Sequence, residues 1–274
     1  MAEYINKYAN SAAIQAAVDG GELLKPYVAY DESANTIDWN SKTGTDYSQV
    51  LLTFEITGNG NIKWYQKSEW YATKTIQYRK NDGNWTNITS SPYVSFSVNV
   101  GDIVQFRGNN ASYFQNEAHG FMGSTAQFKV YGNIMSLINS TDFATLTALT
   151  SQYQFLSMFS NCTGLTDASK LVLPATTLTD RCYYGMFGGC TSLTTAPELP
   201  ATTLATWCYY EMFKGCTNLN YIKCLATNIS ADNCTASWVR DVQTTSGTFV
   251  TPSTTNWTTG VRGIPSGWTR VNSD

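Results

Sequence analysis

Between residues 46 and 132 apolar and polar positions alternate with a period of two, the pattern of strands with one buried and one wet face. Val50-Leu51-Leu52-Thr53-Phe54-Glu55-Ile56 predicts one strand. Thr75-Ile76-Gln77-Tyr78-Arg79 and Trp85-Thr86-Asn87-Ile88 predict two more, joined at Lys80-Asn81-Asp82-Gly83-Asn84 by a hairpin with Asp-Gly turn chemistry. Tyr93-Val94-Ser95-Phe96-Ser97-Val98 and Asp102-Ile103-Val104-Gln105-Phe106-Arg107 flank a turn at Gly101-Asp102, and Ala126-Gln127-Phe128-Lys129-Val130-Tyr131 closes the set. Strands so short and evenly spaced predict an antiparallel, immunoglobulin-like β-sandwich, although the Cys…Trp…Cys spacing of true immunoglobulin domains is absent. Trp85 is expected in its core.

Gly132-Asn133 marks a boundary, after which the pattern becomes a repeat. Cys182-Tyr183-Tyr184-Gly185-Met186-Phe187-Gly188-Gly189-Cys190-Thr191-Ser192-Leu193 recurs 26 residues later as Cys208-Tyr209-Tyr210-Glu211-Met212-Phe213-Lys214-Gly215-Cys216-Thr217-Asn218-Leu219. An earlier copy, Met158-Phe159-Ser160-Asn161-Cys162-Thr163-Gly164-Leu165, is offset by 28, and a degenerate fourth copy begins at Cys234. A unit of this length cannot bury its apolar face alone; stacked units share a core and expose a long surface. Each copy runs into a strand. Leu165, Ala168, Leu171, Leu193, Ala196, Leu199, Ile222 and Leu225 are expected to point inward. Asp167, Lys170, Thr195, Glu198, Tyr221 and Lys223 then form an exposed strip, the candidate recognition surface. The strict register of Tyr183-Tyr184 and Tyr209-Tyr210 reads as packing. Ile134-Met135-Ser136-Leu137-Ile138 predicts an N-terminal cap, and the stretches beginning at Gly247 and Gly263 a C-terminal one.

Residues 1–45 read as a small leader, with an Ala-rich helix over 11–18 and short strands at 27–30 and 36–39. It is too small for a core of its own and is expected to pack on something else. The architecture expected is therefore mainly β: a leader at 1–45, a sandwich at 46–132 and a capped repeat domain at 133–274.

Composition narrows the function. Charged residues are only 14% of the chain and the net charge is −3, so a phosphate backbone is not an expected partner. No apolar run approaches the roughly 20 residues of a membrane span, so no membrane insertion is expected. The first residues carry neither a basic n-region nor an apolar h-region and do not read as a secretory signal. All seven cysteines lie between 162 and 234, six of them in repeat register with Cys224 standing alone, and read as buried thiols. No Cys-x-x-Cys pair and a single histidine, His119, argue against a metal site, and no cofactor is expected.

The repeat signature Met-Phe-x-Gly-Cys-Thr-x-Leu, with Leu-Pro-Ala-Thr-Thr-Leu at 173–178 and 199–204 and the ending Gly263-Ile264-Pro265-Ser266-Gly267-Trp268, resembles the BspA-like leucine-rich repeats. The resemblance spans the last half of the chain and implies a solenoid that serves adhesion or ligand binding without catalysis. The family is found on surfaces of gut Bacteroidales and in their phages. The leader, from Tyr4-Ile5-Asn6-Lys7-Tyr8 to Asp38-Trp39-Asn40, resembles N-termini of structural proteins of phages of that host group. Together these imply a virion surface protein, a head- or tail-fibre component. Residues 1–45 would contact other virion proteins, the repeats and sandwich would contact host-surface glycan or protein, and the chain would form a homo-oligomer. The alternatives are a bacterial cell-surface adhesin, a capsid decoration protein and a glycan-cleaving spike. No nucleophile elbow or phosphate loop appears, so no enzyme is expected. In the sandwich, Trp64, Tyr65, Trp70 and Tyr71 are further candidates, since sugar rings stack on exposed aromatic faces.

Overall fold

The computed structural model describes residues 6–8, 28–31, 36–39, 45–66, 75–88, 93–110, 119–242 and 245–273. The protein is mainly β. Its chain divides into two compact units, Met1–Asp46 and Tyr47–Asp274. In the first, β1 (Asn6–Tyr8) lies parallel to β2 (Val28–Asp31), which pairs antiparallel with β3 (Thr36–Trp39). The helix expected over 11–18 falls outside the described residues.

The second unit is built on a ten-stranded mixed sheet. Its antiparallel part comprises β4 (Leu52–Gly58), β6 (Ile76–Lys80), β7 (Thr86–Ile88), β9 (Ile103–Gly108) and β11 (Gln127–Asn133), in the order β11-β4-β9-β6-β7. Its parallel part continues from β11 through β12 (Leu165–Val172), β13 (Thr195–Leu199), β14 (Tyr221–Cys224), β15 (Thr248–Thr251) and β16 (Thr269–Asn272). A separate antiparallel sheet has β5 (Gly60–Gln66) between β8 (Tyr93–Val98) and β10 (His119–Gly120). The sequence pattern assigned no strand to β5, although it alternates over Ile62, Trp64 and Gln66, all buried. The chain crosses between sheets at Gly101-Asp102: β8 pairs with β5, whereas β9 pairs with β4 and β6.

Gly132 and Asn133, read as a domain boundary, lie inside β11. Gly132 adopts φ +88°, and a Cβ there would strike the Leu51 carbonyl. Fully buried Asn133 ties three segments together: its Nδ2 donates to the Ser48 carbonyl (3.0 Å), its Oδ1 accepts from the Met135 amide (3.0 Å), and its own amide donates to Val50 (2.7 Å). β11 pairs antiparallel with β4 on one side and parallel with β12 on the other, so one sheet runs through both halves.

Two expectations need correction. The turn between β6 and β7 is closed by Gly83 N donating to Lys80 O (2.9 Å), and its left-handed positions are Asn81 (φ 50°) and Asp82 (φ 58°); the Asn-Asp pair does the work expected of Asp-Gly. Trp85 is only half-buried. Two guanidinium groups lie over its ring, Arg107 at 4.1 Å and Arg79 at 5.1 Å, and it is not in the core.

In the repeats, the segments before each strand are runs of consecutive turns. Alternate amides bond to the neighbouring copy: Tyr183 to the Cys208 carbonyl, Gly185 to Tyr210, Phe187 to Met212 and Gly189 to Lys214, all at 2.7–3.0 Å. The intervening amides bond within the copy, as Met186 does to Tyr183 and Gly188 to Gly185. Every backbone amide in the run thus finds a partner without an α-helix. Inside, the rings stack in register: Phe121, Phe159, Phe187 and Phe213 follow one another at 5.3–5.8 Å, and Phe213 reaches Trp238 at 6.1 Å. Trp238 stacks on Trp257 at 5.3 Å and its indole donates to the Gly263 carbonyl at 2.8 Å, closing the C-terminal end. At the other end Phe121 lies against Phe54 (4.7 Å), Phe106 (4.5 Å) and Trp64 (5.0 Å), so the aromatic column begins in the antiparallel part.

All seven cysteines are buried and free. Cys162, Cys190 and Cys216 each donate to the carbonyl of a phenylalanine in the column, Phe121, Phe159 and Phe187, at 3.0–3.1 Å.

Candidate functional site: the outer face of the mixed sheet

The inward set Leu165, Ala168 and Leu171 advances by three residues, as do Leu193, Ala196 and Leu199. A regular strand alternates by two. Irregularities in register reconcile the two periods: β12 shifts against β11 between Lys129 and Tyr131, and β13 shifts against β14 between Thr195 and Glu198. β14 pairs with β15 without a shift, so its buried set is Ile222 and Cys224; Leu225, expected inside, is only half-buried.

The six strip residues all fall on the face opposite this core. Tyr221 pairs with Thr195, Thr195 with Asp167, Asp167 with Lys129, and Lys129 with Glu55, a row that crosses from the repeats into the antiparallel strands. In a second row Lys223 pairs with Glu198, and Lys170 pairs with Tyr131, which pairs with Thr53.

Charge on this face is paired. Lys223 Nζ lies 2.8 Å from Glu198 Oε2, and Lys129 Nζ 3.6 Å from Glu55 Oε1. Asp167 Oδ1 accepts from the Ser169 amide at 2.8 Å. Lys170 reaches over the Tyr47 ring, 5.4 Å from its centre, and Tyr47 meets Tyr131 edge-on at 5.4 Å. The hydrogen bond to the Tyr47 side chain, aided by nearby Asp167 and Glu55, holds the Lys170 ammonium above its usual range. Burial, and then the charge of Glu55, pushes the Tyr131 hydroxyl up. Lys170 therefore stays a cation and Tyr131 a neutral donor at physiological pH. The face offers hydroxyls, paired charges and two aromatic edges, groups that can hydrogen-bond and stack.

Tyr47, Glu55, Lys129 and Tyr131 were not singled out from the sequence. The outward parity of Glu55, Lys129 and Tyr131 is readable in the alternation of 50–56 and 126–131, whereas Tyr47 lies in a 3-10 turn before them; the pairing of β11 with β12, which brings them beside the strip, is not readable.

The sandwich candidates fare differently. Trp64 is fully buried, packs edge-on against Phe121 and donates from Nε1 to Gln66 Oε1 at 3.2 Å, so it is a core residue and touches no external ligand. Its parity in β5 decides this, since Tyr65 takes the other face. Tyr65 is half-buried beside its cross-strand neighbour Tyr93, which is 61% exposed, with ring centres 5.1 Å apart. Trp70 and Tyr71 lie outside the described residues. His119 is buried in β10. Among the described residues no three His, Cys, Asp or Glu side chains gather as around a metal, and no helix is long and apolar enough to cross a membrane. Comparison of the chain with protein-family models, with curated proteins and with solved structures found no match in any of the three.

Proposed function

We propose that this chain is a non-enzymatic virion surface protein of a phage, a head- or tail-fibre component, and that the outer face of its mixed sheet binds host-surface glycan or protein. In this reading residues 46–132 are an immunoglobulin-like sandwich fused to a BspA-like leucine-rich-repeat solenoid, and residues 1–45 dock to other virion proteins. The observation that carries the binding role is the convergence of strip residues from three successive parallel strands with Glu55, Lys129 and Tyr131 on one face. The repeat signature and the leader resemblance support the phage assignment, and the separation of Met1–Asp46 as its own unit supports a distinct docking role. Weak contacts suffice for such a protein, because many copies on one particle convert low affinity into avidity.

The test is binding of labelled protein to Bacteroidales cells. Tyr221→Ala with Lys223→Ala should reduce binding about tenfold or more, a loss of about 1.4 kcal/mol. Both side chains lie outside the core and the Lys223–Glu198 pair is partly exposed, so the fold should survive. Tyr65→Ala with Tyr93→Ala is the competing variant. Loss of binding in that variant alone would move recognition to the smaller sheet; normal binding by both would refute the role of the sheet face.

A further inference from the structure

Tyr184 and Tyr210, read from sequence as packing residues, part company with their neighbours. Tyr183 and Tyr209 are buried in a stacked column, whereas Tyr184 and Tyr210 are half-exposed. Their rings lie 4.6 Å apart, and Trp207 lies 4.7 Å from Tyr210. Arg181 extends the ribbon, its guanidinium 5.6 Å from Trp207 and 5.3 Å from Tyr153. This ribbon runs along the turn segments, not along the sheet.

The backbone under it is costly. Tyr153, Arg181 and Trp207 occupy one register, each donating its amide to the next copy at 3.0 Å, and each is left-handed, with φ of 58–59°. Bulky side chains rarely adopt that conformation. The next copy places Asn233 there (φ 48°), a residue that tolerates it. The turn ladder imposes it at other registers too, at buried Phe155 (φ 65°) and at Ser157, Gly185, Glu211 and Ser237, so it belongs to the turn geometry. At their own register Tyr153, Arg181 and Trp207 place their side chains in the ribbon.

Tyr184 also lines a groove of about 350 Å³. Gly185, Gly188 and Gly189 leave part of it without side chains, and Glu211 and Lys214 line it as an ion pair 2.9 Å apart. Asp241 lines it as well, so the groove carries two carboxylates and one ammonium. It thus joins an aromatic side chain, a stretch of bare backbone and hydrogen-bonding groups with an excess of negative charge.

We propose that this groove and the aromatic ribbon form a second binding site, for a neutral oligosaccharide, with a pyranose ring over Tyr184 and its hydroxyls directed to Glu211 and Lys214. The excess of carboxylates disfavours a polyanion, and the ribbon continues the stacking surface for further sugar units. The site is separate from the sheet face and stands whether or not that face binds anything.

The full chain should be titrated with four neutral hexasaccharides, of β-1,4-glucose, β-1,4-mannose, β-1,3-glucose and N-acetylglucosamine, by ligand-observed NMR and calorimetry. At least one should bind with a Kd of about 1 mM or tighter. Tyr184→Ala should weaken it at least tenfold, while Val100→Ala, in an exposed turn outside both surfaces, leaves it unchanged. Glu211→Gly, which copies the residue at the equivalent Gly185, provides a second variant should Tyr184→Ala melt early, and should weaken binding at least threefold. Absence of binding by all four sugars overturns the proposal, as does binding indifferent to whichever of these two variants folds.

Discussion

At the scale of single residues, burial decides what the side chains do. Burial pushes the thiols of Cys162, Cys182, Cys216 and Cys224 up to about 12, and the thiolate is the reactive form. Native protein should therefore react slowly with a thiol reagent at pH 8 and release seven thiols only on denaturation; several fast-reacting thiols in the native state would contradict the burial. Asp102 shows the opposite shift. Its carboxylate accepts from the Asn99 amide (2.9 Å) and Asn81 Nδ2 (2.6 Å) and lies 3.3 Å from Lys80 Nζ, which holds it below its usual 3.8. A depressed carboxylate contributes stability that is present above the unfolded value and lost as pH falls through the folded one. Denaturant midpoints measured from pH 5 down to pH 2 should fall, and Asp102→Asn should flatten that decline; an unchanged acid limb would remove Asp102 from the account. Residue-level parity was legible in the sequence for the strip and for β9. It was ambiguous for Trp64, because β5 begins directly after the β4 turn and its alternation mixes buried Gln66 with buried Ile62.

At the scale of elements, the repeat period was legible and the strand geometry within it was not. A spacing of three residues between inward positions holds in β12 and β13 because their pairing is irregular, and fails in β14 because it is regular. The contrast predicts different costs for the same substitution. Leu219 is fully buried and Leu225 only half-buried, so Leu219→Ala should destabilise by about 2–5 kcal/mol and Leu225→Ala by clearly less. Equal losses in equilibrium denaturation would restore the simpler three-residue reading. The turn ladder was invisible to pattern analysis for a physical reason: its alternate amides are satisfied by the neighbouring copy, so it obeys neither the helical nor the strand period.

At the scale of the whole molecule, what was least legible is what matters most for the proposed function. Local alternation divides the chain at Gly132, yet β11 carries the sheet across that point and the column from Phe54 and Phe121 to Trp238 carries the core. Such joins depend on contacts far apart in sequence, which no local period encodes. They make the outer face of the sheet, the proposed binding surface, one platform: Glu55, Lys129 and Tyr131 are held in register with Thr195 and Tyr221 by a shared sheet. Repeat arrays whose copies contact only their neighbours can unfold piecewise; a shared column should couple the antiparallel strands to the first repeats. The most direct measurement is native-state hydrogen exchange on the intact chain, comparing Phe54 and Val104 in β4 and β9 with Leu171 in β12 and Ile222 in β14. The account predicts that these amides exchange through one opening, with matching free energies and matching denaturant dependence. An opening of the repeats at clearly lower free energy, with β4 and β9 still protected, would show two independent domains meeting near Gly132 and would contradict a single platform.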